Sequence, residues 1–291
     1  MHGHPTHRRT LTLALALTAA YCGAEVAGGW LTNSLALLSD AGHMLADVGA
    51  LGLSLFAMRL AQRPPTAEKT FGYHRVEILA AFVNGLLLWL VVGLLFREAY
   101  GRLLDPPPVH GPGMIAVAAI GLGVNLSSLY LLHGAHVESL NVRGAFVHVV
   151  GDALGSVGAI VAGVLVLTCG WRLADPLVSI GIGVLILFSS WGIVRESVDI
   201  LMQGTPRELS LGEIEQCLLA IEGVQRVHDL HVWTQTSGRY LLSAHLVVSA
   251  SADPRRIVET AQGRLREGFG IGHSTVQLDH ESECTEDFRL H

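Results

Sequence analysis

A histidine and an aspartate four residues apart, His43 and Asp47, lie inside an apolar run long enough to cross a bilayer. On a helix that spacing puts both on one face, with β-carbons roughly 5–6 Å apart, so one ion can touch both. The spacing recurs at His148 and Asp152 in a second apolar run, and glycines follow each pair (Gly49 and Gly52; Gly155 and Gly158). An ionised aspartate at the centre of a membrane helix costs about 2.5–3.5 kcal/mol, so two of them require something that neutralises them. Two imidazole nitrogens and two carboxylate oxygens form the four-coordinate set that a tetrahedral divalent metal accepts, zinc foremost, and two aspartates cancel its charge. Asp40 stands three residues before His43 on nearly the same face, where it either guides ions inward or caps a local helix irregularity. The competing reading of these residues is a polar hydrogen-bond cluster between helices.

The composition narrows the class. Half of the 291 residues are hydrophobic and 15% are charged, which describes a polytopic membrane protein and excludes a soluble one. The net charge of -6 argues against a nucleic-acid partner. Cys22, Cys169, Cys217 and Cys284 form no CxxC pair, so neither a disulfide framework nor a thiolate knuckle is expected. Lys69 is the one lysine and no glycine-rich loop precedes it, which removes a phosphate-binding loop and with it direct ATP hydrolysis.

The elements that must position the site follow from the order of the chain. Residues 1–9 form a polar tail carrying His2, His4 and His7, a weak metal trap or simply a disordered tail. The apolar segment from Thr10 to Trp30 has no small-x-small cleavage site and is expected to be a retained first helix, with Glu25 in a polar crevice or packed on a partner. Helix two is expected from Leu35 to Arg59, helix three from Glu77 to Phe96, helix four from Pro112 to Leu132 and helix five from Val142 to Cys169. Asp175-Pro176 reads as an N-cap and first-turn proline for helix six, which Gly204-Thr205-Pro206 stops. The link His133–Asn141, with His136 and Glu138, reads as solvated rather than as a site.

Six spans put both termini on one side. That side carries Arg8, Arg9, Arg59, Arg63, Lys69, Arg75, Arg143 and Arg195, against Arg97, Arg102 and Arg172 opposite, so both termini are expected in the cytosol. Helix two then enters from outside and puts His43 and Asp47 roughly 12–18 Å deep; helix five enters from the cytosol and puts His148 and Asp152 at roughly 10–17 Å. Both pairs reach the midplane from opposite faces. The expected domains are the tail 1–9, a six-helix transmembrane domain over 10–203, and a small soluble domain over 204–291. The last reads as αββαβ: a helix Leu211–Glu222, strands Val224–Thr234 and Arg239–Val248, a helix Pro254–Phe269 and a strand Ser274–Asp279.

Ser34-Leu35-Ala36-Leu37-Leu38-Ser39-Asp40-Ala41-Gly42-His43-Met44-Leu45-Ala46-Asp47, Phe71-Gly72-Tyr73-His74-Arg75-Val76-Glu77, Ser139-Leu140-Asn141-Val142-Arg143-Gly144-Ala145, Asp152-Ala153-Leu154-Gly155-Ser156 and His228-Asp229-Leu230-His231-Val232-Trp233 resemble the cation diffusion facilitators. The zinc-transporting branch with the bacterial cobalt-zinc-cadmium resistance exporters is the nearest likeness. The resemblance implies a homodimer of six-helix protomers in the bacterial inner membrane, each with a cytosolic metallochaperone-like domain, exporting divalent metal in exchange for protons. Its transport ligands fall on His43, Asp47, His148 and Asp152. It places cytosolic-domain ligands on His228, His245, Asp279 and His273 or His280, and offers Cys284 as a further thiolate. Two positions depart from the family pattern. Lys69 and Tyr73 stand where relatives bind metal beside His74, and Gln203 stands where an acid would pair with Arg75, leaving Asp199 one turn earlier as a substitute.

The site's chemistry implies the exchange. With zinc bound, two aspartates and two neutral histidines sum to zero; once it leaves, protons neutralise the remaining charge, and imidazole is the side chain that switches near physiological pH. The rivals are a membrane-anchored metal sensor and an intramembrane zinc hydrolase. The latter needs an open coordination position and a His-Glu-x-x-His helix, which the chain lacks.

Overall fold

The computed structural model describes residues 21–133 and 140–280; at 47, 51, 54, 55, 131–133 and 140–148 it describes the backbone alone. Six helices come first: α1 over 21–32, α2 Leu35–Ala61, α3 Val76–Leu104, α4 Gly111–His133, α5 Leu140–Cys169 and α6 Ala174–Leu201. Among the described residues, Val76–Leu104, Gly111–Tyr130, Val149–Cys169 and Ala174–Leu201 are long and apolar enough to span a membrane. Helix α1 is described only from residue 21, and α2 carries Asp40, Asp47 and Arg59. The small domain follows as α7 Leu211–Leu219, β1 Val224–Thr236, β2 Arg239–Val248, α8 Pro254–Phe269 and β3 His273–Asp279.

By internal packing the chain forms two units, one of residues up to Leu53 with Val83–Ile193, the other of Ser54–Phe82 with Val194 onward. In the first, Ala36, Leu37, Leu88, Val92, Met114, Ala118, Ala159, Ala162 and Ile182 form a buried core across the helices. Small residues let α4 and α5 approach: a Cβ on Gly163 would meet Ile115 Cγ1 at 2.7 Å and the Gly111 carbonyl at 3.3 Å.

The helix ends at Ser34, Arg102 and Asp175 are tied by a polar joint that differs from the sequence expectation. Asp175 was expected to cap its own helix, α6. Its fully buried carboxylate instead caps α2, accepting from the Ser34 hydroxyl at 2.7 Å and from the Leu35 and Ala36 N–H groups at 2.8 and 3.1 Å. Ser34 Oγ accepts from the Leu37 N–H at 3.3 Å, so the first three N–H groups of α2 are satisfied. Arg102 closes the joint, donating to the Asn33 carbonyl at 2.7 Å and lying 3.7 Å from Asp175. That reach explains why α3 runs two turns past the expected Phe96: Glu98 pairs with Arg102 at 3.0 Å, and the charged turn has partners. Asn33, in the left-handed region (φ 55°), ends α1, with the Ser34 N–H bonding the Gly29 carbonyl at 3.0 Å.

The second unit's sheet has the order β1-β2-β3, with β1 and β2 antiparallel, and β2 and β3 parallel through the crossover helix α8. Ser210 caps α7 by accepting from the Glu213 N–H, and Asp253 caps α8 ahead of Pro254. Ile214 and Leu218 of α7 and Ile257, Ala261 and Leu265 of α8 pack with Leu242, Ala244 and Leu246 of β2. Strand alternation therefore turns Ser243, His245 and Val247 to the other face. Helix α7 stops at Leu219 rather than Glu222, and β1 runs two residues past Thr234. The end of α6 is also a correction: Gln203, not a glycine, takes the left-handed position (φ 61°), and the Gly204 N–H reaches back to the Asp199 carbonyl at 2.7 Å.

Candidate metal centre

His43 and Asp47 stand eight and twelve residues past Leu35, the start of α2, at about 12 and 18 Å along that helix, and His148 and Asp152 lie one turn apart on α5. The side chains of Asp47 and His148 lie outside the described residues. The other two are brought together from α2 and α5: His43 Nε2 is 3.8 Å from Asp152 Oδ1, both largely buried. Two ligands about 2.05 Å from a tetrahedral ion are about 3.3 Å apart, so this separation suits a shared ion and exceeds a hydrogen bond.

Asp40 is buried and faces α5, where a Cβ on Gly155 would lie 3.5 Å from Asp40 Oδ1. Glu25 on α1 is also buried and accepts from the Tyr21 hydroxyl at 2.8 Å, which fits the polar-crevice reading.

The small domain holds a second group of donors. His228 and His245 are direct partners across β1 and β2, with ring centroids 5.1 Å apart. Asp279, two residues past the His245 partner position on β3, reaches both: its Oδ2 is 2.9 Å from His245 Nδ1 and 3.1 Å from His228 Nε2. Ligand atoms of all three lie within 4.8 Å of one another, an N/N/O set that fits one divalent ion with a position to spare. Burial alone would raise the Asp279 pKa, but hydrogen bonds from Gln277 and His245 and the charges of His245 and His228 hold it below the usual carboxylate value.

His273 is not brought to this group. It opens β3, six residues and about 20 Å from Asp279, and its ring meets Phe71 edge-on at 6.3 Å. His280 follows β3 directly and is exposed. A residue the sequence reading passed over, Asp229, takes a place at the rim: a bulge in β1 between His228 and His231 puts it at φ 51° and brings Oδ2 to 3.6 Å from His245 Nε2, with Oδ1 2.9 Å from His231 Nε2. Only its place in the His-Asp-Leu-His run hinted at this.

The residues between α2 and α3 do other work. His74 accepts from Arg239 at 2.7 Å through Nε2, one of its two ring nitrogens. Asp199 does not replace the missing acid opposite Arg75; its carboxylate meets Arg207 at 3.1 Å. His2, His4, His7, His136, Glu138 and Cys284 lie outside the described residues.

Comparison with known proteins finds two family profiles in the chain: the cation efflux transmembrane domain over residues 11–202, and the cytoplasmic domain of cation efflux proteins over 206–281. The chain is 41% identical over 280 residues to the metal cation efflux system protein CzcD of Cupriavidus metallidurans, covering 96% of this chain and 89% of that one. It is also 41% identical over 289 residues to a cadmium, cobalt and zinc/H(+)-K(+) antiporter of Bacillus subtilis (97% and 92% covered). A zinc transporter, ZitB, of Pectobacterium atrosepticum matches at 41% over 288 residues (98% and 89%).

Proposed function

This chain belongs to the cation efflux family, and from that premise we propose that it exports divalent metal, Zn2+ first, with Cd2+ and Co2+ as further substrates, in exchange for protons. It is a transporter and not an enzyme. The transport site is His43, Asp47, His148 and Asp152, and the observation that carries it is the 3.8 Å approach of His43 and Asp152 across α2 and α5.

Metal enters from the cytosolic side, binds as its hydration is replaced by two imidazoles and two carboxylates, and is released outward when the helices rock about the site. Protons then take the lone pairs the metal vacated, so the empty site can return without an exposed pair of charges in lipid. Residues 10–203 form the transmembrane part of a bacterial inner-membrane protein with both termini in the cytosol, and 204–291 the cytosolic part. His228, His245 and Asp279 hold a further ion there, and the protein works as a homodimer, which the cytoplasmic-domain match supports.

Purified protein in liposomes loaded with a zinc indicator tests this. Expected is zinc entry that rises with an opposing proton gradient and falls by more than about tenfold in Asp152→Asn, which keeps the side chain's volume. Zinc bound without flux would overturn transport in favour of a sensor, and flux indifferent to pH would overturn the exchange.

A further inference from the structure

We propose that Glu25 carries one of the exchanged protons, taking it from the outer side as the metal leaves and giving it up as the next metal binds. This rests on the exchange read above and adds to it a group that is not one of the metal's ligands. Glu25 is 1% exposed on α1, with one carboxylate oxygen held by the Tyr21 hydroxyl at 2.8 Å. The other, Oε2, is buried and meets no donor among the described residues. The side chain within hydrogen-bonding reach of Glu25 across the helices is a second buried acid, Asp40 of α2. Carboxylates accept and do not donate, so two of them bond only through a shared proton.

The pair is built into the helices. Tyr21 and Asp40 stand where glycines leave room: a Cβ on Gly121 of α4 would overlap the Tyr21 hydroxyl, and one on Gly155 of α5 would lie 3.5 Å from Asp40 Oδ1. Glu25 is seven residues before Thr32, the end of α1, and Asp40 five past Leu35, roughly 11 and 8 Å in from the turn that joins the two helices. From that end, the outer one in the orientation proposed above, both acids are reached before His43 and Asp47.

Charge couples the pair to the metal. Asp152 acts electrostatically on Glu25. A dication held by Asp152 and a proton on Glu25 repel, so each leaves more readily when the other arrives, and the linkage is reciprocal. The other groups facing Glu25 are few. Its own helix gives Tyr21 and Cys22, whose thiol turns to the Ala41 carbonyl at 3.9 Å. Helix α2 gives Asp40 and, one turn on, His43. Helix α4 gives Gly121 and Asn125, which do not titrate, and α3 and α6 carry their ionisable residues near their ends. A second metal ion is the other occupant to weigh. Two carboxylates and a phenol make a poor zinc set, and among the described residues the small domain alone gathers three donors tightly enough.

Zinc titrated calorimetrically into the full-length protein in detergent, in buffers of different ionisation enthalpy, counts the protons that binding releases. Glu25→Gln accepts from Tyr21 and donates to Asp40 as the protonated acid does. At about pH 7 it should release about one proton fewer per protomer than wild type, with bound zinc unchanged, and Glu25→Asp should restore that proton. In liposomes the protons moved per zinc should fall by about one in Glu25→Gln. A buried protonated carboxyl also absorbs in the infrared apart from ionised ones. Wild type should lose that band on binding zinc, and Glu25→Asp should shift it. A proton count unchanged in Glu25→Gln, or a band unmoved in Glu25→Asp, makes Glu25 a fixed hydrogen-bonding group and overturns the proposal. Zinc lost from monodisperse Glu25→Gln overturns it in favour of a ligand. An unchanged count beside pH-driven flux in wild type overturns this proposal alone and leaves the exchange standing.

Discussion

Replacing Asp175 with alanine removes one side chain and unpicks two helices. Its carboxylate takes the Leu35 and Ala36 N–H groups and the Ser34 hydroxyl in a fully buried position. Each buried donor left without a partner costs about 1–3 kcal/mol, and losing an anion at a helix N-terminus adds about 0.3–2 kcal/mol. The Ser34 hydroxyl can turn to another acceptor, so the two backbone donors and the charge set the expected destabilisation at about 2–8 kcal/mol, with Arg102 losing its buried anion as well. For a chain of this size that lowers the thermal midpoint by roughly 10 °C, read as loss of the monodisperse peak after heating detergent-solubilised protein. Asp175→Asn keeps one acceptor but turns an N–H2 toward backbone donors, so it should fall between. Zinc flux should drop in both even well below the midpoint, because His43 is only eight residues from Leu35 and shares its helix's placement. An alanine variant with normal midpoint and flux would refute the joint, and an asparagine variant equal to wild type would refute the role of the charge.

Three further outcomes are expected. Gly163→Val sets new carbon against Ile115 Cγ1 and the Gly111 carbonyl, forcing α4 from α5 at about 1–3 kcal/mol, measurable as a lower unfolding temperature. Gln203→Gly relieves a left-handed residue at the end of α6 and should raise the midpoint, by about 1 kcal/mol in stability. The depressed pKa of Asp279 means its folded form binds its proton less readily than the unfolded chain, so its contribution is present above the unfolded value and lost as pH falls through the folded one. Asp279→Asn should accordingly lower stability in the neutral range and leave it little changed at the acid end, so that the acid limb below about pH 4 flattens, and should lower the metal content of the purified protein at pH 7.

Helices α2 and α5 were legible from sequence because their signals are local. An apolar run sets a span, and a four-residue spacing sets a face, so His43 and Asp152 could be chosen before anything was known of their neighbours. The small domain's order of elements, with β2 and α8 at their observed bounds, followed from alternation and caps within a few residues. His228, His245 and Asp279 came from resemblance, and strand pairing decided the rest, since β2 and β3 are joined only through a crossover that sequence separation does not register. His273 failed for the same reason: it shares a face with Asp279 but not a position along the strand.

What only the tertiary structure decided are the contacts made between distant residues. Asp175 looks in sequence like a cap for the helix it begins, and 140 residues separate it from the Leu35 N–H it holds. Asp229 reaches His245 through a bulge that no residue pattern announces. Local chemistry fixed which residues can bind an ion. Packing, which depends on where separate elements land, fixed which of them stand together.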